Sequence, residues 1–367
     1  MHISDIIGHL EALAPPAYQE HYDNAGLLTG SSGWECKGVL VTLDATEEVV
    51  LEAVARGCNM VVAHHPIIFG GLKKITGRDY VERSVIAAIK NDIAIYAIHT
   101  NLDNVMGDGV NGRIADKLGL VGRRVLVHRE GTLCKLYCFV PVGHLEAVRA
   151  AMFGAGAGHI GKYSECSFGS QGVGTFKGGE GAQPFVGRAG ERHEEKEVRL
   201  EVILPVHLSR QVVAAMIAAH PYEEVAYDLV SLGNPLFGVG SGLVGELGLP
   251  MEEGAFLERL CGVFRVPVVR HTRLTGQPVR RVAICGGAGS GFISNALSAG
   301  ANFYITSDVK YHEFFDANDR MVIADIGHFE SEQFTIDLLI EVLQGKFSNF
   351  AVLKSDTRTN PVNYHIN

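Results

Sequence analysis

No uncharged apolar stretch in this chain reaches the ~18 residues that a membrane-spanning helix requires. The opening Met1-His2-Ile3-Ser4-Asp5 lacks the basic-then-apolar pattern of a secretory leader. A cytoplasmic protein with reduced thiols is therefore the expectation. The seven cysteines are odd in number and scattered. Cys134 and Cys138 lie four apart on one face of an expected strand, with no neighbouring Cys or His pair to complete a zinc motif, so they are read as core residues. Long Lys/Arg runs are missing too, and the formal net charge is −9, which disfavours a nucleic-acid partner held by bulk charge. No short-period repeat occurs. What is present is 47% hydrophobic and 20% charged residues, the balance of a packed globular protein rather than a disordered one. A length of 367 residues suits roughly two or three domains of ~150 residues each.

The first part of the chain alternates strand and helix patterns: strands at 39–43, 60–63 and 93–98, helices at 47–56, 80–90 and 111–118. Apolar strands joined by helical crossovers predict a mainly parallel sheet covered on both faces. The texture changes near Gly131. Strands at 133–140, 198–204 and 226–230, with helices at 144–152 and 209–219, predict a small ferredoxin-like α+β module. Its middle, 154–190, is rich in glycine and reads as a long loop, either functional or a surface insertion. From Asn234-Pro235 the α/β pattern returns, with helices at 256–264, 290–299 and 329–343 and strands at 282–285, 303–306 and 321–325. The expected domains are thus an N-terminal α/β lobe over 1–128, an insertion over 129–233 and a C-terminal α/β lobe over 234–367.

Chemistry is expected where buried strands end, because ligands of α/β proteins collect beyond the carboxyl ends of strands. The apolar run Met60-Val61-Val62-Ala63 ends in His64-His65-Pro66. The strand at 93–98 ends in His99-Thr100-Asn101-Leu102-Asp103-Asn104, although Asp103 and Asn104 also suit a backbone-capping turn. The strand at 321–325 leads into Gly327-His328-Phe329-Glu330-Ser331-Glu332. In a helix starting near His328, His328 and Glu332 share a face, although acids also favour a first helical turn for its dipole. Together, His64, His65, Asp103, His328 and Glu332 form a mixed imidazole/carboxylate set suited to zinc, manganese, iron or nickel. Five donors exceed one tetrahedral ion, so two divalent ions sharing a carboxylate are expected, zinc first among the four metals. His99 and His312 are candidate proton carriers near such a site, although a structural hydrogen-bonding role is the first reading of each. Gly286-Gly287-Ala288-Gly289-Ser290-Gly291 follows a strand and precedes a helix, suiting either a phosphate or a tight turn, but it matches no phosphate-loop pattern. Ser307-Asp308 and Tyr311-His312-Glu313 are placed along the cleft without assigned chemistry.

The ordered set Asn24-Ala25-Gly26-Leu27, His64-His65-Pro66, His99-Thr100-Asn101-Leu102-Asp103 and Gly327-His328-Phe329-Glu330-Ser331-Glu332 resembles the GTP cyclohydrolase I type 2 homologue (Nif-three-like) family. Gly158-His159-Ile160-Gly161-Lys162-Tyr163-Ser164-Glu165-Cys166, Pro184-Phe185-Val186-Gly187 and His220-Pro221-Tyr222-Glu223-Glu224 resemble the PII-like or CutA-like insertion of its longer bacterial members. The resemblance implies a dinuclear metal site with the same five ligands. It also implies a toroidal homohexamer, a dimer of trimers in which the insertions trimerise. The family name implies hydrolytic opening of the purine heterocycle of GTP by metal-activated water, and hence a nucleotide-like small-molecule substrate. The alternative is a non-enzymatic metal-binding regulator or sensor that works through its insertion. One departure is visible: the family's Thr-Gly-Asp is here Thr306-Ser307-Asp308, which predicts a slightly narrower loop.

Overall fold

The computed structural model describes residues 1–365. It divides into two compact units, Met1–His128 with the chain from Gly238 onward, and Arg129–Phe237. Among the described residues no helix is long and apolar enough to cross a membrane.

The first unit is mixed α/β and holds two sheets. One is five-stranded, in the order Gly26–Thr29, Ala94–Ala97, Met60–His65, Val39–Asp44, Val352–Lys354. Its last four strands are parallel, and the edge strand Gly26–Thr29 is antiparallel. The parallel strands at 39–44, 60–65 and 94–97 are buried almost throughout, as continuous apolar runs covered on both faces must be. The other sheet is six-stranded, in the order Arg270–His271, Val322–Asp325, Phe303–Ser307, Val279–Ala288, Gly240–Met251, Leu120–His128. The segments 1–128 and 234–367 are interlocked: Leu120–His128 pairs with Gly240–Met251, and Val352–Lys354 pairs with Val39–Asp44. A single hydrophobic core joins the sheets, running from Val39, Val62 and Tyr96 to Phe256, Ile284 and Phe303.

The second unit runs Leu133–Pro141, helix Leu145–Gly154, Ser167–Lys177, Arg192–Pro205, helix Ser209–Ala219 and Tyr227–Ser231. Its strands form an antiparallel sheet in the order 167–177, 192–205, 133–141, 227–231. Cys134 and Cys138 sit in its core with Leu200, Val148 and Met216. The long glycine-rich loop expected at 154–190 is not wholly a loop. Residues 167–177 are a strand paired along their full length with 192–205. Glycine packs weakly in strands, but here the backbone ladder itself supplies the structure, and side-chain pattern carries no trace of it.

Candidate metal centre

The apolar strands of the first unit drive their polar ends to one edge. Register places Asp44, the last residue of its strand, beside His65. The neighbouring strand ends just before His99 and the short helix Thr100–Asp103. From the other sheet, the strand Val322–Asp325 leads through Gly327 into the helix His328–Glu332.

Four imidazoles converge there, and each has its Nδ1 engaged. His64 Nδ1 donates to the Ile98 carbonyl at 2.8 Å. His65 Nδ1 lies 2.8 Å from Asp44 Oδ1, His99 Nδ1 2.8 Å from Asp23 Oδ1, and His328 Nδ1 2.6 Å from Asp308 Oδ2. Fixing one ring nitrogen in this way orients the ring and turns Nε2 toward the cluster, which is how ligating histidines are normally supported. The donors within reach of one another form three groups: His64, His65 and His99; His65, His328 and Glu332; and His64, Asp103 and Glu332. The ligating atoms of each group lie within 4.8 Å of one another.

The residues fit an ion. His64 Nε2 and Asp103 Oδ1 are 3.6 Å apart, both buried, and neither has a hydrogen-bond partner. Buried polar atoms without partners are costly, and a cation between these two would satisfy both. Glu332 is buried at the centre, with Oε1 3.8 Å from His64 Nε2 and Oε2 2.9 Å from His65 Nε2 and 3.2 Å from His328 Nε2. The last distance realises the four-residue spacing expected of His328 and Glu332.

The electrostatics separate the two carboxylates. Burial raises the Asp103 carboxyl, and the neighbouring Glu332 charge raises it further, well above the usual carboxylate range. Burial acts the same way on Glu332, but hydrogen bonds from His328 and His65, with the His64 imidazole close by, outweigh it and hold Glu332 well below that range. Burial also depresses His64. On His65 the burial effect is overcome by the Asp44 and Glu332 carboxylates, which push it up to about 10. Two nearby carboxylates driven apart in this way suit a site awaiting extra positive charge.

The glycine run at 286–291 turns three of its N–H groups into the fold. Gly286 donates to Asn111 Oδ1 at 2.9 Å, Gly287 to Ser331 Oγ at 2.9 Å and Gly289 to Thr306 Oγ1 at 3.0 Å. Gly287 has φ +65°, and a Cβ there would run into the Glu332 carboxylate. The run is therefore a tight turn that lets Glu332 approach. Ser307 was expected to narrow its loop slightly. It closes a strand, and the left-handed residue is Asp308, with φ +56°.

His312 is exposed and packs its ring against Tyr311 and Phe315. Among the described residues it belongs to none of the groups able to hold an ion. His99, in contrast, is one of the converging imidazoles. Asp23, Asp44 and Thr359 were not anticipated. Asp44 ends a buried strand, so the strand-end rule that singled out His64 and His65 would have found it. Asp23 and Thr359 lie in irregular segments with no such signal. Thr359 Oγ1 donates to Asp44 Oδ2 at 2.6 Å. A cavity of about 460 Å³ opens beside His65 and His328, walled by Arg270, Phe329, Asn360 and Tyr364.

A model of the Duf34/NIF3 (NGG1p interacting factor 3) family matches residues 1–361. Proteins named GTP cyclohydrolase 1 type 2 homolog are similar along their whole length. The one from Halalkalibacterium halodurans is 39% identical over 98% of both chains, and the one from Bacillus subtilis is 38% identical over 98% of this chain and 97% of its own. The crystal structure of a Bacillus cereus protein related to NIF3 superposes with a TM-score of 0.86 at 39% identity, covering 100% of this chain and 99% of that one. The chain belongs to the Duf34/NIF3 family.

Proposed function

We propose that the protein is a metal-dependent hydrolase in which the cluster holds two divalent ions, zinc first, with manganese, iron or nickel as alternatives. The observation that carries this reading is the position of Glu332. It belongs to two donor groups at once, one with His64 and Asp103 and one with His65 and His328. Its two oxygens face different partners, the arrangement of a carboxylate shared by two ions. When bound, such a pair lowers the pKa of water and clamps a developing oxyanion.

The chain's own residues do the rest. Asp44, Asp23, Asp308 and the Ile98 carbonyl hold the four imidazoles in fixed orientations. His99, fixed by Asp23, carries a proton to or from the reacting group, and His312 has no part in this. The 460 Å³ cavity lies in the usual range for small-ligand pockets. It receives a nucleotide or related heterocycle, GTP being the first candidate from the relatives' name. The insertion is read as a ferredoxin-like, PII- or CutA-like module, on the strength of its strand–helix–strand–strand–helix–strand order. A homohexameric, cytoplasmic assembly belongs to the same reading.

The test is turnover of GTP and other nucleotides by metal-reconstituted protein, beside a His64→Ala/His65→Ala variant. Loss of turnover in the variant is expected. Equal turnover would sink the mechanism, and retained metal without turnover of any nucleotide would favour a metal-binding regulator.

A further inference from the structure

The second unit contains a cavity of about 730 Å³, larger than the one beside the metal cluster, for which the hydrolase reading has no use. It is bounded by the glycine-rich strand Ser167–Lys177, by Phe185 and by Tyr222. Aromatic rings gather on Tyr222: Phe176 lies 6.0 Å and Phe185 6.3 Å from it, centroid to centroid. The loop bearing Phe185 is tied across the cavity by Gln183 N–H, which donates to Glu223 Oε1 at 2.9 Å. Against these rings stands a carboxylate. Glu197 lines the cavity and is 8% exposed.

Buried carboxylates are normally paired with a cation, and this one is not. Among the described residues no Lys, Arg or His lies within ion-pairing distance of Glu197. Its one side-chain hydrogen bond comes from the Tyr222 hydroxyl, to Oε1 at 2.8 Å. Arg199, two residues further along the same strand, also lines the cavity, but its guanidinium is already engaged. Its guanidinium stacks on the Tyr137 ring at 4.2 Å and pairs with Glu201 at 3.5 Å. Lys177 lines the cavity but is itself exposed. The opposite strand is shaped around the acid, because a Cβ at Gly174 would collide with the Glu197 carboxylate.

A partly satisfied carboxylate beside ring faces is the chemistry that selects a cation with an apolar body. The carboxylate takes the N–H groups, and the rings take both the charge and the flat surface. We propose that this cavity binds a small organic cation, an amine or amidine carried on a flat apolar group. Its charged nitrogen bonds Glu197, and its body lies among Phe176, Phe185 and Tyr222. An anion of the same shape is rejected, since it would meet the carboxylate. The site is independent of the metal cluster, and its test requires no turnover.

The experiment is calorimetric or ligand-observed NMR titration of the full-length protein with benzylamine, benzyl alcohol and benzoate. Saturable binding of benzylamine is expected, with the alcohol and the acid at least about tenfold weaker, the scale of one charge-assisted hydrogen bond. Glu197→Gln is expected to erase the preference for the amine, and Phe185→Ala to weaken all three probes while the preference remains. Melting curves of both variants check their folding, and the three-probe comparison on the unaltered protein stands without them. The proposal is overturned if benzoate binds as well as benzylamine, if Glu197→Gln keeps the preference, or if benzylamine shows no saturable binding. The last result is the one expected if the cavity is closed by another copy of the chain.

Discussion

Asp44 holds two contacts that matter to the centre, one on each oxygen. Oδ1 fixes His65 Nδ1, and Oδ2 accepts the Thr359 hydroxyl. The hydroxyl thereby sets the plane of the carboxylate that sets the plane of the imidazole. Losing an outer partner of this kind typically costs about 10–100-fold in metal affinity. Asp44→Asn is expected to fall in that range and Thr359→Val near its lower end, both read by competition with a chromophoric chelator. Wild-type affinity in both variants would mean that His65 needs no such support. Gly287 makes the opposite demand, for empty space. Gly287→Ala adds a Cβ at φ +65° against Glu332. It is expected to lose stability by ~1–3 kcal/mol, the cost of a strained backbone residue, and to purify with little metal. Urea melts and elemental analysis check the two effects separately.

Among the described residues, the segment 355–365 has no helix or strand yet is tied to the fold through Glu52. Glu52, on the helix Glu47–Ala55, accepts hydrogen bonds from Ser355 Oγ, the Asp356 and Thr357 N–H groups and Thr357 Oγ1. Burial raises the Glu52 carboxyl, but these bonds and Arg56 outweigh it and hold it down at about 2. A depressed carboxyl contributes stability that is complete above its unfolded value of 4.5 and is lost as pH falls toward 2. The segment is therefore expected to become protease-sensitive between those values in the wild type, and to be sensitive already at neutral pH in Glu52→Gln. Limited proteolysis followed by mass spectrometry reads this directly, and an unchanged pattern in the variant would remove Glu52 from the account. Which elements were legible follows the same division between pattern and partner. Buried parallel strands announce themselves as apolar runs, so the ends bearing His64, His65 and His99 could be located in advance. The helix at His328 was legible from its four-residue spacing. Gly26–Thr29, Gly240–Met251 and Ser167–Lys177 are strands because a neighbour offers a ladder, and their glycine-rich composition shows no period of its own. Asp23 and Thr359 reach the centre by long-range contacts with no local signature.

For the molecule as a whole, the second unit leaves the first after His128, and the chain returns at Gly238. Gly240 is the ladder partner of His128, so exit and return lie side by side at the end of an antiparallel strand pair. Loops of two to five residues close such pairs readily, and Asn-Gly followed by Gly238 and Val239 makes one of four. A chain in which residues 129–237 are replaced by Asn-Gly is expected to fold and to keep the metal affinity of the parent, since every candidate ligand lies in the first unit. The same chain should lose all benzylamine binding. Circular dichroism with chelator competition tests the first statement, and failure to fold would show that the first unit depends on the second.

The interlocking of the two segments also sets an order in time. The sheet whose strand ends in His64-His65 takes its last strand from Val352–Lys354, and Asp44 takes its hydroxyl partner from Thr359. During synthesis, the early histidines leave the ribosome long before His328, Glu332 and that final strand exist. Domains ordinarily fold as they emerge, but this centre has no finished half to fold. A nascent or truncated chain exposes His64 and His65 without the carboxylate that joins their groups. Capture of an ion at this centre would thus be a late event that only a nearly finished chain could complete.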